Sequence, residues 1–208
     1  MNISKFLLID AVLVIAAIPL LFFVSGGKRK SPFLRSSSKE ELLRKASGKL
    51  PDKEKLRELE KFAKEQGSGI EFDSIIGIWK FISIWKKDID EEDPIFSSLL
   101  RAFSAKIEFT KNLLTENKTE LSVIASIQLG LLTIAFSGTG YLKGKQPLLP
   151  FFLNQIELKS GSKILLTRSL KEPEEKDKSF FSMIALEEND ELLSARGQGG
   201  AVVIWLKD

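Results

Sequence analysis

The sequence predicts a mostly β protein, an antiparallel β-barrel or sandwich preceded by two short helices and an N-terminal transmembrane helix. Three observations carry this. An apolar run fills residues 6–24, charged segments with helical spacing follow to residue 66, and from residue 70 the hydrophobic period drops from 3.6 to 2. The expected divisions are a transmembrane anchor over 1–27, a basic helical lead-in over 28–69 and a β domain over 70–208.

The run FLLIDAVLVIAAIPLLFFV at 6–24 is interrupted only by Asp10 and Pro19. As a helix it would be roughly 28 Å long, close to the ~30 Å hydrocarbon core of a bilayer. Fourteen of its residues are Leu, Ile, Val or Phe, each favouring insertion by about 0.3–0.6 kcal/mol, against at most ~3 kcal/mol for Asp10 near one end. A cleavable signal peptide fits less well, because the run is long, carries a charge and is followed by Lys28, Arg29 and Lys30. The basic residues after the run outnumber Lys5 and the α-amine before it. The positive-inside rule therefore puts the C-terminal domain of a single-pass protein on the cytoplasmic side.

Residues 28–66 carry 13 Lys/Arg against 7 Asp/Glu, whereas residues 67–208 carry 17 against 20. A net-positive stalk beside a lipid-inserted helix is drawn to anionic headgroups. Ser38-Lys39-Glu40-Glu41 is a capping box ahead of Leu42, Leu43 and Ala46, with Gly48 as the stop. The second helix is expected over about 52–66, with Leu56, Leu59, Phe62 and Ala63 on one face and Gly67-Ser68-Gly69 at its end.

In the β domain, Ile75, Gly77, Trp79, Phe81, Ser83 and Trp85 fall on one face of a first strand. Phe103 to Phe109 and Leu121 to Leu129 alternate in the same way, and further strands are expected near 132–142, 151–159, 163–170, 179–187 and 201–207. Lys159 to Ser162 and Glu187 to Asp190 read as hairpin turns. About eight short strands without helical crossovers imply an antiparallel barrel or sandwich, whose closure removes exposed edges. Two apolar stretches interrupt the pattern. Residues 94–103 suit either a short helix across the barrel mouth or core packing, and 146–153 either a membrane-dipping rim or the start of a strand.

The chain contains no Cys and no His. That removes disulfides, thiolate and imidazole metal sites, Cys nucleophiles and His-based triads. The mid-strand carboxylates Glu108 and Glu157 fall on outward faces, so no acid–base pair is expected inside a barrel. No catalytic residue, metal or cofactor is expected, and no enzyme activity. Nucleic acid is excluded as a partner because the β domain has no basic stripe with interleaved aromatics.

Two motifs bracket the domain. Gly77-Ile78-Trp79 suits a barrel strand whose Trp plugs one end, and Arg196-Gly197-Gln198-Gly199-Gly200 leads into the apolar AVVIWLKD. An Arg at that place can close over a Trp face and bond the chain end. Together with Glu40-Glu41-Leu42-Leu43-Arg44-Lys45-Ala46 and Ile75-Ile76 ahead of Gly77, these ends resemble the plastid lipid-associated protein (fibrillin) family of cyanobacteria and plastids, over about residues 39–208. The chain departs from that pattern at Ser83-Ile84, Ala185-Leu186-Glu187 and Leu193. The resemblance implies a lipocalin-like barrel, association with thylakoid lipids and the handling of prenyl lipids, with no established catalytic residues.

The expected function is thus a membrane-tethered module, in a thylakoid or plasma membrane, that binds a lipid-like molecule such as a prenyl lipid, carotenoid or acyl chain. Trp79, Phe81, Trp85, Phe103, Phe109 and Arg196 are the expected ligand-binding residues, in or near the interior. The alternative is a structural or assembly protein that docks on membrane-protein partners without a small ligand.

Overall fold

The computed structural model describes residues 50–87, 91–112, 120–145, 147–174, 178–187 and 191–208. The expected anchor at 6–24 and the expected first lead-in helix at 38–48 lie outside the described residues. Among the described residues, no helix is long and apolar enough to cross a membrane.

The second lead-in helix forms as α1, Lys53–Gln66. Asp52 caps it by accepting a hydrogen bond from the Lys55 amide at 2.7 Å, and Gly67, at φ +99°, ends it. Leu56 and Ala63 are buried on its inner face, and burying Leu56 contributes about 2 kcal/mol. A single turn, α2 (Phe72–Ile75), stands where the strand pattern was expected to begin.

Nine strands follow: β1 Gly77–Trp85, β2 Lys106–Lys111, β3 Glu120–Leu129, β4 Leu132–Tyr141, β5 Leu148–Ser160, β6 Lys163–Ser169, β7 Ser179–Glu187, β8 Leu192–Gly197 and β9 Val202–Lys207. Between β1 and β2 lies α3, Pro94–Ala102. All the strands belong to one antiparallel sheet, and the pairings β1–β2–β3–β4–β5–β7–β8–β9–β1 return on themselves. Eight strands thus curl into a barrel-like ring, and β6 hangs from the far half of β5.

Alternate residues face the interior, where Trp79, Phe81, Phe109, Val123, Phe181 and Trp205 belong to one buried cluster. A second cluster forms outside the ring, where α1 covers Ile82, Ile184, Leu192, Val202 and Ile204 through Leu56. With an apolar neighbour on each side, β8 and β9 are buried on both faces. Bulges at Ile82 in β1 and Ile184 in β7 turn those side chains outward under α1.

The β1 bulge corrects the expected face of the first strand. Trp79 and Phe81 point inward, but beyond Ile82 the alternation inverts. Trp85 pairs with Val202 and packs on the outer cluster. Its indole N–H donates to the Ser83 hydroxyl at 3.1 Å. The carbonyl of the bulged Ile82 accepts from Arg101 Nη1 of α3 at 2.6 Å.

Residues 94–102 form a helix with Phe103 as its C-cap, so the strand expected from Phe103 begins only at Lys106. Asp93 caps α3 by accepting from the Ile95 and Phe96 amides at 3.2 and 3.1 Å, with Pro94 in the first turn. Leu100 is buried in the interior cluster while Ile95 stays exposed. The stretch 148–153 is the start of β5, and Leu149 and Phe151 are buried there. Gln146 lies outside the described residues.

Candidate functional site

The two ends of the ring differ. At one end the interior is filled: Trp79 is fully buried and donates from its indole N–H to the Ile75 carbonyl of α2 at 2.7 Å. Lys207 Nζ lies 5.2 Å from the Trp79 ring centroid and donates to the Ser74 carbonyl at 3.4 Å. Gly77 begins β1 there at φ +135°, a backbone conformation that favours glycine. Conformation is its reason, because an added Cβ would sit at an ordinary 3.4 Å from the nearest atom.

The other end holds an open apolar pocket. Its walls are inward side chains of β1, β2, β3, β5, β7 and β9, chiefly Phe81, Ile107, Val123, Phe151, Phe181 and Trp205. Phe151 stacks on Phe181 with centroids 5.1 Å apart, and Phe181 meets Trp205 edge-on at 5.4 Å. Leu153, Phe180, Ala125 and Gln198 also line it. The cavity volume is about 40 Å³. The deep part holds about three waters, so any larger molecule has to occupy the mouth as well.

Polar groups are few. The pocket lining includes Lys106 and Gln198. The Gln198 Oε1 atom is buried without a hydrogen-bond partner among the described residues. Glu108 pairs with outward Ile78 and Ile124, and Glu157 with outward Ala135 and Thr167. The Glu157 carboxyl is held below its ordinary range by its hydrogen bond to Lys159. Among the described residues, no group of acidic side chains could hold a metal ion.

The expected ligand residues divide three ways. Phe81 lines the pocket. Trp79 and Phe109 are buried in the interior cluster but outside the pocket lining, and Phe103 is half-buried against the same cluster. Trp85 and Arg196 are outside the ring, the first because of the β1 bulge. Arg196 follows inward Ala195 on β8 and therefore points at α1. Its Nε and Nη2 donate to Glu60 Oε1 and Oε2 at 2.8 and 2.6 Å, and Nη1 to the Gly200 carbonyl at 2.5 Å. That contact holds the Glu60 carboxyl below its ordinary range against the opposing effect of burial. The cation over a tryptophan face is Lys207, on Trp79.

Sequence reasoning passed over Phe151, Phe181, Trp205 and Gln198. Trp205 carried a usable signal, since Val203 and Trp205 alternate in the last strand. Gln198 carried none, because its place in the β8–β9 turn becomes visible only once β8 exists. No family model matches the sequence, and no curated protein matches it.

Proposed function

We propose that the chain is a membrane-tethered binding module for a lipid-like molecule, a prenyl lipid, carotenoid or acyl chain, held in the open end of a lipocalin-like barrel. The observation that carries the reading is the pocket walled by Phe81, Phe151, Phe181 and Trp205 and open at one end. Apolar burial at ~25 cal/mol per Å² would drive uptake, with shape setting selectivity. The unpartnered Gln198 Oε1 would accept a hydrogen bond from a hydroxyl or amide N–H on the ligand's polar end. The likeness of residues 75–79 and 196–200 to the fibrillin family supports the same reading, as does the apolar run at 6–24 for the tether.

The test is extraction of small molecules from the full chain purified in a mild detergent, followed by mass spectrometry and titration with a fluorescent fatty acid. Co-purified lipid near one per chain, with saturable displacement by the probe, is the expected result. A chain that carries nothing and binds no probe ends the proposal.

The small deep volume of about 40 Å³ favours a second reading, a solid barrel that docks on membrane-protein complexes. A stoichiometric protein partner recovered from solubilised membranes, with no lipid, would select it.

A further inference from the structure

β5 has 13 residues, and only Leu148 to Phe151 pair with β7 in the ring. Its far half, Gln155 to Ser160, pairs with β6. The nine residues after Phe151 give about 30 Å of strand. They run with β3, β4 and β6 as a four-stranded flap at the pocket's end of the ring, where the lining residues Lys106, Phe180 and Gln198 also lie.

Register gives this flap two unlike faces. Ile134, Phe136, Ile156, Leu158 and Leu166 share one with Arg168, while Thr133, Ala135, Glu157, Lys159 and Thr167 share the other with Ile164. Across the bulge at Leu165 the apolar side chains of β6 thus project to both sides of the tip. Ile134 and Phe136 pack on the interior cluster. Toward the tip that cover ends. Every residue of β6 is exposed, with Ile164, Leu165 and Leu166 at 51, 50 and 60%. The Gly161 amide donates to the Leu131 carbonyl at 3.2 Å, so the β5–β6 and β3–β4 turns form one joined tip, with Leu131 82% exposed. Lys163 and Arg168 flank these side chains in β6 and have no acidic partner among the described residues.

We propose that this tip, Leu131 with Ile164, Leu165 and Leu166, inserts into the interfacial region of a bilayer containing anionic lipid. This rests on the reading above that the chain is held at a membrane. Two features select lipid as the occupant. The same chain carries the 19-residue apolar run at 6–24 outside the described residues, long enough to span a bilayer. The cations beside the leucines complement anionic headgroups, the arrangement of an interfacial apolar face. Insertion would turn the pocket's end of the ring toward the bilayer.

The chain has no Cys, so Leu131→Cys, Leu165→Cys and Asp73→Cys can each carry a single environment-sensitive nitrobenzoxadiazole label. Asp73, on α2 at the filled end, is the control and is exposed. The labelled full-length chain is reconstituted into vesicles of phosphatidylcholine and phosphatidylglycerol in equal parts, with and without nitroxide-bearing lipid. Circular dichroism confirms that each variant keeps the parent fold. Expected is about a twofold quenching at 131 and 165, with a blue-shifted label, and none at 73, for a face buried ~5–10 Å into the interface. A chain that floats with the vesicles but is quenched equally little at all three sites overturns the proposal and leaves the tether standing. A blue shift without nitroxide quenching, lost on dilution in lipid, assigns the face to a second copy and also overturns it. A chain that fails to float removes the tethered reading and this proposal with it.

Discussion

Arg196→Ala should destabilise the protein by about 2–3 kcal/mol. The guanidinium joins β8 to α1 through two contacts to Glu60, at 2.8 and 2.6 Å, and holds the Gly200 carbonyl at 2.5 Å. Removing one partner of a fully buried pair costs about 3–5 kcal/mol, whereas an exposed pair is worth about 0–1. Glu60 is 7% exposed, but the Arg196 side chain is 22% exposed, and Lys64, 3.0 Å from Glu60 Oε1, still partners the stranded carboxylate. The site lies between the two limits. For a protein of this size the loss lowers Tm by about 5–10 °C. Near-UV circular dichroism of the full chain in detergent, following the buried Trp79 and Trp205, measures it. The contacts also fix the pH dependence. Arg196 lowers the folded-state pKa of Glu60 below its ordinary 4.5, so the pair's stabilisation is present above that value and is lost as pH falls through the folded-state pKa. The parent and Arg196→Ala melts should therefore differ most above pH 4.5 and converge as pH falls through the lowered folded-state pKa of Glu60. In the cycle with Glu60→Ala, the double variant should cost at least about 1 kcal/mol less than the sum of the singles. A loss under about 0.5 kcal/mol for Arg196→Ala at pH 7, or strict additivity, would refute the role given to the pair.

Three further outcomes are expected. Gly138→Ala should leave little folded protein in expression and melting assays, because its Cβ would lie 1.9 Å from the Phe152 carbonyl oxygen across the β4–β5 bulge, and backbone on both sides leaves no flexible group to yield. Trp79→Ala should cost about 3–5 kcal/mol in denaturant unfolding, the usual range for a large aromatic removed from a filled core; a cost near zero would mean that the α2 end is not closed by this ring. Ala125→Phe should reduce fluorescent fatty-acid affinity by about tenfold with little change in Tm, since Ala125 lines the pocket and is only half-buried.

Much of the ring was legible because most of its strands have one wet face. β2 and β3 alternate cleanly, and the expected strands near 132–142, 151–159, 163–170, 179–187 and 201–207 correspond to β4, β5, β6, β7 and β9. β8 escaped notice because α1 covers its outer side: Leu192, Leu193, Ser194 and Ala195 are all buried, so no alternation is written there. The acidic turn at 187–190, partly outside the described residues, nevertheless implied a returning strand. The site was less legible. One extra residue at Ile82 sends Trp85 from the inner to the outer face, because a one-residue slip inverts every side chain beyond it. Arg196 was read from its neighbours in sequence, but its partner Glu60 is 136 positions away. No local pattern encodes that contact.

Whether an eight-strand ring is solid or hollow depends on side-chain size, since strand number and stagger set a nearly constant bore. Here the sizes are graded along the axis. Trp79 and Phe109 occupy the α2 end, and Ile75 of α2 packs with them. Toward the other end the inward positions shrink to Ala105, Ala125, Gly197 and Ala201, all in the pocket lining. The large rings that remain there, Phe151, Phe181 and Trp205, are locked by mutual stacking and edge contacts into a wall and so do not collapse into the space. The same grading explains why β5 can leave the ring after Phe151 without unravelling it. The closed end is held by packing that does not involve the flap, which leaves β6 and the Leu131 turn free to be shaped by what lies outside the barrel.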